Sequence, residues 1–436
     1  MPVYGTDAST SDVMLQTFCW DITVKGERGQ LYKHLRSLLP NFMAAGISLL
    51  WLPPPSKSRY QHYMGYTPMD YYDLGEFKQW IQEWPATGND YWEESKSSET
   101  RFGTREDLQS MIRDAHALGI KVIADLVLNH REAQQRNTDG EKISWKGDQY
   151  EIASGKMAWG YQQKDPPEIV SGSGGGGRDD GQSGFAPNLA HTEPQLRAQL
   201  KEWLAWLQNE VGFDGWRYDM VKGFAAHHIA EYNYHTKPYL SVGEYWDDNT
   251  QLIYDWIDHT DSYHVEQKSM AFDFPLQTHL RRIFWGDKPF DQLGLWKYSH
   301  VSLTGGWPAK AVTFLDNHDT IRHPFGDFPR DHKRLLQGYA FLLTHPGIPC
   351  VYWEHIYAVG SRAYQGIMAL CRFRGDQGIT NQSHVQVLHA QHYCYVAKID
   401  GKTIVKIGES FWNPYGIPGH WSLTLSGEGW AIWILA

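Results

Sequence analysis

The sequence predicts an α/β fold: a (β/α)8 TIM barrel with an irregular inserted domain after strand 3 and a small antiparallel β domain at the C-terminus. Segments with strand and helix patterns alternate along the chain, which predicts a parallel sheet. The strand candidates are continuous apolar runs, as expected where both faces of a sheet are buried. Eight such runs are present, the number that closes this kind of barrel. An open doubly wound sheet is the alternative, and the lack of a GxGxxG motif after the first strand disfavours it.

The same patterns place the elements of the barrel along the chain. Strands are predicted at residues 13–20, 47–52, 121–128, 213–218, 239–244, 270–274, 311–315 and 348–353. Helices are predicted at residues 30–45, 105–118, 193–210, 224–235, 251–257, 333–344 and 363–372. Residues 56–102 form a long aromatic and polar segment, and loops of that length in a compact domain are usually functional.

Two stretches depart from the alternation and define further domains. Residues 131–190 have no regular pattern and contain a glycine run, which we interpret as an inserted domain with its own turns. Beyond residue 375, short alternating runs are separated by turns, and Asp400-Gly401 is a strong hairpin signal. The predicted domains are residues 1–130 with 191–372 for the barrel, 131–190 for the insertion and 373–436 for the C-terminal domain.

The composition restricts the class of partner. A net charge of −10 gives no basic footprint for nucleic acid, and no apolar stretch approaches the length of a membrane span. The four cysteines show no CxxC spacing, so we expect reduced thiols and neither a disulfide framework nor a zinc site. The 20 Trp and 25 Tyr suit surfaces that stack on sugar rings, which makes carbohydrate the first partner to consider.

The N-terminus has no basic start followed by an apolar run, so no signal peptide is visible and the protein as written is expected to be cytoplasmic. A mature secreted form whose leader has been removed would have the same appearance. We expect a monomer.

Polar residues gather where the predicted barrel strands end, the position at which such barrels carry their chemistry. Arg217 and Asp219 lie two positions apart and therefore on one face of the fourth strand. A neighbouring guanidinium favours the ionised form of a carboxylate, which a nucleophile requires. Taken alone, this pair would be an ion pair that ties a strand to a helix. Asp125 lies inside the third strand and is expected to be a structural partner of Arg217.

Four stretches carry a resemblance to a known family. They are VIADLVLNH at 122–130, GWRYDMVKG at 215–223, VGEY at 242–245 and FLDNHD at 314–319. In this order they resemble the four signature regions of the α-amylase family of glycoside hydrolases. Residues 64–68, 72–74 and 100–103 are similar to archaeal and plant α-amylases, and residues 307–314 and 399–408 to plant-type ones.

The resemblance implies roles for three acids. Asp219 would attack the anomeric carbon, and Glu244 would protonate the leaving oxygen and then activate water. Asp319 would stabilise the oxocarbenium-like state and hold sugar hydroxyls. Arg217 would keep Asp219 ionised.

It also implies contacts with the substrate. His130 and His318 would hydrogen-bond the sugar in the cleaved subsite, and these bonds would strengthen as charge develops. Tyr66 would stack beneath that ring, and Lys222 would contact the sugar on the leaving-group side.

Family members usually hold a structural calcium ion between the inserted domain and the barrel. Asn129 and the carbonyl of Gly223 match ligand positions, and Asp179 with the carbonyl of Gly181 matches the archaeal loop pattern. Asn188 stands where the family commonly has aspartate. Because an amide oxygen brings no negative charge, we expect Ca2+ to bind more weakly here.

The implied function is endo-hydrolysis of α-1,4-glucosidic bonds in starch, glycogen and maltooligosaccharides, with retention of anomeric configuration. One alternative is a maltooligosaccharide-forming or transglycosylating relative, which would use the same acids. The other is a non-catalytic glucan-binding protein on the same fold, which would be expected to lack at least one acid, whereas all three are present.

Overall fold

The computed structural model describes residues 7–20, 22, 29–83, 93–131, 152–157, 170–171, 188–261, 268–323 and 326–436. Eight parallel strands close into a barrel, each paired with the strands before and after it in the chain, and the first pairs with the last. In order they are Met14–Gln16, Leu49–Leu52, Lys121–Leu126, Gly215–Tyr218, Ser241–Gly243, Met270–Phe272, Ala311–Phe314 and Ile348–Tyr352. The predicted barrel is therefore confirmed.

Helices surround the barrel and follow its strands. The longer ones are Leu31–Ala44, Arg105–Ala117, Pro194–Trp206, Ala226–Thr236, Thr250–His259, Phe274–Phe284, His332–Thr344 and Ser361–Asp376. Short helical pieces lie at Gln61–Tyr63, Leu207–Val211, Val221–Gly223, Phe290–Lys297, Leu303–Gly306, Pro308–Lys310 and Trp353–Tyr357. All eight barrel strands are buried along nearly their whole length, as their apolar composition predicts.

The helix Phe274–Phe284 was missed, because the sixth strand was predicted to run to residue 274. The strand ends at Phe272, and the next residue, Asp273, caps the helix by accepting a hydrogen bond from the Leu276 N–H at 3.0 Å. Pro275 in the first turn suits a helix start, since proline lacks an N–H that would have no partner there. The apolar run thus crosses a boundary that only the capping aspartate marks.

The segment after the second barrel strand contains a two-stranded antiparallel hairpin, Gln79–Glu83 with Glu93–Ser97. Lys57, near the start of the same segment, binds the chain where the segment ends. Its buried ammonium donates to the carbonyls of Ser98 at 2.8 Å and Glu99 at 3.0 Å. A buried cation therefore ties the two ends of the 56–102 segment together.

Most of the predicted insertion, including its glycine run, lies outside the described residues. Within the described part, Val170–Ser171 pairs antiparallel with Asn188–Leu189. The N–H of Leu189 donates to the carbonyl of Asn129 at 3.0 Å, so this small sheet meets the end of the third barrel strand.

The C-terminal strands form one antiparallel sheet, which confirms that prediction. They are Val385–Gln391, Cys394–Ile399, Thr403–Gly408, Trp421–Gly427 and Trp430–Leu435, and the last one lies between the third and fourth in the sheet. Asp400 and Gly401 have φ of 49° and 73°, the left-handed values that a tight hairpin turn requires.

All four cysteines are buried free thiols. None of the helices in the described ranges has the length and apolar character needed to span a bilayer.

Candidate active site

The barrel strands end at a cleft of about 560 Å³. Its lining is rich in acids, histidines and aromatic rings: Trp20, Tyr63, Tyr66, Thr67, His130, Asp219, Met220, Lys222, Glu244, Trp246, His318, Asp319, Arg322 and His323. Parallel strands all end on this side, so residues distant in sequence converge here. Of the eight predicted catalytic and substrate residues, seven line the cleft, and Arg217 contacts two of them.

Arg217 is the fully buried centre of the acid cluster. Its Nη1 donates to Asp125 Oδ1 at 2.8 Å and to Asp219 Oδ1 at 2.7 Å. Its Nη2 lies 2.8 Å from Glu244 Oε1, an ion pair without hydrogen-bond alignment. One guanidinium therefore holds Asp219 and Glu244 side by side at the bottom of the cleft.

Burial decides the protonation of the two acids. It raises the pKa of Glu244 to about 8 and that of Asp219 to about 7, although Arg217 acts to lower both. The expectation that Arg217 would keep Asp219 ionised is thus met only in part, because desolvation outweighs the ion pair. Burial therefore favours a retained proton on this pair, while the Arg217 guanidinium acts on both carboxyls in the opposite direction.

Asp125 lies beneath the cleft and is fully engaged. Besides Arg217, it accepts hydrogen bonds from Tyr66 Oη at 2.8 Å and Trp51 Nε1 at 3.0 Å, both on Oδ2. Because Asp125 anchors Tyr66 and Arg217 together, it aligns a ring that lines the cleft with the guanidinium that holds the acids. This matches the structural role predicted for it.

Asp319 is held by Trp20 and His318, which lie in the loops after the first and seventh strands. Trp20 Nε1 donates to its Oδ1 at 3.1 Å, and His318 Nε2 lies 3.3 Å from its Oδ2. Burial lowers the pKa of His318 to about 4, so this imidazole is neutral. Gln16 Nε2 donates to His318 Nδ1 at 2.9 Å, which leaves the ring proton on Nε2, facing Asp319.

Tyr66 and His318 form a stacked pair in the cleft, with ring centroids 5.1 Å apart and planes 5° apart. His130 directs Nε2 to the backbone carbonyl of Tyr66 at 2.8 Å, and burial lowers its pKa, so it too is neutral. Lys222 pairs with Asp247 at 2.8 Å and lies over the ring of Tyr245. The predicted substrate contacts therefore meet in one cleft.

Several cleft residues were not predicted. Trp20 lies in the loop after the first strand and Met220 follows Asp219, so the rule that residues after strand ends carry the chemistry could have found both. Trp246 comes two residues after Glu244 and stacks on Phe274 at 5.1 Å. Arg322 and His323 reach the cleft from the turn after the seventh strand, and no sequence signal marks them.

The predicted metal site is only partly described. Asn129 Oδ1 is buried without a hydrogen-bond partner in the described structure, and it faces Gly223, where an added Cβ would lie 1.7 Å away. Asn188 pairs with Ser171, and the N–H of the next residue, Leu189, donates to the carbonyl of Asn129. Asp179 and Gly181 lie outside the described residues. In the described ranges no three His, Cys, Asp or Glu side chains gather as a metal site. An orphaned oxygen facing a glycine fits a hard cation.

Comparisons with known proteins agree with this geometry. The family model "Alpha amylase, catalytic domain" matches residues 39–355, and "Alpha-amylase C-terminal beta-sheet domain" matches residues 376–434. The probable α-amylase 2 of Arabidopsis thaliana is 32% identical over 97% of this chain and 94% of its own length. The chloroplastic α-amylase 3 of the same plant is 31% identical over 97% of this chain, which spans 44% of that relative.

The fold also matches solved structures. An α-amylase from Geobacillus thermoleovorans, solved with acarbose, superposes with a TM-score of 0.69 at 17% identity, covering 98% of each chain. At that identity the likeness concerns the fold alone. The family models and the plant relatives are what identify the protein: the chain belongs to the α-amylase family of glycoside hydrolases.

Proposed function

We propose that this enzyme cleaves internal α-1,4-glucosidic bonds of starch, glycogen and maltooligosaccharides with retention of anomeric configuration. The α-amylase family acts on starch and maltooligosaccharides. The observation that carries the proposal is the shared guanidinium, with Asp219 on Nη1 and Glu244 on Nη2. Carboxyls held this close suit a double displacement, since inversion needs a wider gap that admits water.

Asp219 is the nucleophile in this scheme. Its carboxylate forms a bond to the anomeric carbon while the bond to the leaving oxygen breaks and Glu244 gives that oxygen a proton. Glu244, now a carboxylate, then takes a proton from water, which attacks the same carbon and releases Asp219. Burial raises the pKa of Glu244, which keeps a proton available for the leaving oxygen, while Nη1 of Arg217 donates to Asp219 and favours its ionised form.

Asp319, His318 and Tyr66 supply the sugar site. Asp319 is a partly exposed carboxylate at the cleft, positioned to interact with the positive charge that develops at the anomeric carbon. The tyrosine and histidine rings form an aromatic surface beside it, on which a sugar face packs.

Substitution of the nucleophile tests the proposal. Asp219→Asn is expected to lower kcat on soluble starch by at least about 1,000-fold, because no covalent intermediate forms, while the fold and starch binding persist. Asp376→Asn, at an exposed helix end, is the matched control. An active Asp219→Asn enzyme would overturn the mechanism.

The product distribution tests the mode of attack. Early mixed oligosaccharides of the α-anomer, followed by chromatography and NMR, support internal cleavage with retention. A single fixed product length, or transfer to sugar acceptors in place of water, would assign the protein to the maltooligosaccharide-forming or transglycosylating relatives. Both outcomes leave the roles of the three acids unchanged.

Members of the family generally bind calcium, and we infer that Asn129, Asn188 and the carbonyl of Gly223 contribute to such a site, together with Asp179 and the carbonyl of Gly181. The support is the unpaired, buried Asn129 Oδ1. The ion would hold the insertion against the barrel. Chelation is expected to lower the melting temperature. An unchanged melting curve after confirmed metal removal would contradict the site.

A further inference from the structure

Met220, the residue after the nucleophile, has an unusual backbone. Its φ is 46°, in the left-handed region that favours glycine. An unbranched side chain is held there only where the surroundings compensate. Two contacts of Met220 supply that compensation, one through its backbone and one through its side chain.

The backbone contact reaches the acid/base. Met220 N–H donates to Glu244 Oε2 at 3.2 Å, while Glu244 Oε1 lies beside Arg217 Nη2. Each oxygen of Glu244 is therefore next to a donor, and only the Met220 bond has hydrogen-bond alignment. A backbone N–H binds a carboxylate more strongly than a carboxylic acid, so it acts to lower the pKa of Glu244 against the effect of burial.

The side-chain contact reaches the third barrel strand. Asn129 Nδ2 donates to Met220 Sδ at 3.4 Å and lies 3.2 Å from His130 Nδ1. Rotation about the N–Cα bond of Met220 changes the angle between its N–H and its side chain. The value of 46° lets the N–H face Glu244 while the sulfur faces Asn129. A right-handed φ would break one of these two contacts.

We propose that Met220 is a positioning residue that sets the Glu244 carboxyl for proton transfer to the leaving oxygen. The inference rests on the proposed function, because it concerns the acid/base step of that reaction. As the glycosidic bond breaks, the proton moves from Glu244 to the leaving oxygen and the Met220 N–H stabilises the carboxylate that remains. Met220 acts through Glu244 and takes no part in bond making.

Leaving-group dependence tests this role, because a nitrophenolate leaves without protonation whereas a sugar alkoxide does not. Met220→Val places a β-branched residue where φ is positive and is expected to turn the N–H away. Its kcat/KM should fall about tenfold on maltoheptaose but less than about threefold on a chloronitrophenyl maltotrioside. The tenfold loss is a part of the roughly 100- to 10,000-fold that general acid catalysis contributes. Met220→Gly, which tolerates φ of 46°, should keep the ratio of the two substrates within about threefold of wild type.

Glu244→Gln serves as the benchmark for full loss of the acid, and melting curves confirm that the variants are folded. Two results would each overturn the positioning role. One is a ratio of the two kcat/KM values that Met220→Val leaves unchanged, and the other is the same change in this ratio in the valine and glycine variants. A wild-type enzyme that cleaves neither substrate would overturn the proposed function itself, and the inference with it.

Discussion

At the residue scale, the acid cluster is governed by a shortage of positive charge. Asp125, Asp219 and Glu244 are three buried carboxyls around the single guanidinium of Arg217. One cation cannot offset three buried anions, so the group retains a proton near neutral pH. Burial raises the pKa of both Asp219 and Glu244, so the retained proton is shared within this coupled pair.

The pH dependence of activity follows from the raised pKa of both acids. In the proposed mechanism, activity requires Asp219 ionised and Glu244 protonated. We therefore expect kcat/KM to fall as pH drops through about 7 and as it rises through about 8, the values of the coupled pair. We expect a narrow bell near neutral pH that reports the coupled pair. A basic limb below pH ~6, where an unperturbed carboxyl is already ionised, would contradict the raised pKa of Glu244.

Burial of Glu244 makes stability change with pH in the direction opposite to that of an ordinary ion pair. Because burial raises the pKa of Glu244 above its unfolded value, the folded state binds more protons, and stability is lost as pH rises from the unfolded pKa to about 8. Glu244→Gln is therefore expected to raise the melting temperature by about 2–5 °C at pH 9 and by less at pH 4. Thermal unfolding at the two pH values measures this. A larger gain at pH 4 would contradict it.

At the element scale, the turn Val221–Gly223 joins the fourth strand to the predicted metal site. Gly223 is required by space, since a Cβ would overlap Asn129 Oδ1. The motif GWRYDMVKG at 215–223 was recognisable in the sequence. The need for glycine at its last position is visible only in the structure, because Asn129 follows a different strand. The helix Phe274–Phe284 was also invisible in the sequence, because an apolar run does not show where a strand ends.

Gly223→Ala tests the close approach. We expect the free energy of unfolding to fall by about 1–3 kcal/mol, because Asn129 must move, and the effect of chelation on the melting temperature to shrink. Gly375→Ala is the control, since Gly375 is an exposed helical glycine with open space around it. It should be neutral or stabilise by up to about 1 kcal/mol. Equal effects of the two substitutions would contradict the role of Gly223.

At the scale of the whole molecule, buried polar contacts join the C-terminal sheet to the barrel. Tyr395 Oη accepts from Trp296 Nε1 at 3.2 Å and lies 2.9 Å from His345 Nε2. Burial lowers the pKa of His345 to about 3, so the contact is between neutral groups. The sheet thus docks on the helix His332–Thr344 and on Phe290–Lys297, away from the cleft residues.

Tyr395→Phe is expected to lower the free energy of unfolding by about 1–2 kcal/mol, because His345 and Trp296 lose a buried partner, and to leave kcat/KM unchanged. Tyr415→Phe, at a ring that is 95% exposed, should change neither quantity. Chemical denaturation and starch kinetics measure both. A drop in activity without a loss of stability would contradict the docking role.

The sequence by itself determined the barrel, the C-terminal sheet, the order of the motifs and the identity of the candidate acids. These depend on local periodicity and on short runs of residues, which can be read along the chain. Only the tertiary structure decided that the pKa of both acids is raised, that Trp20 and Met220 contact two of the acids, and that Asn129 faces Gly223. Burial and contacts between the ends of different strands produce these features, and residue spacing along one strand carries no information about either.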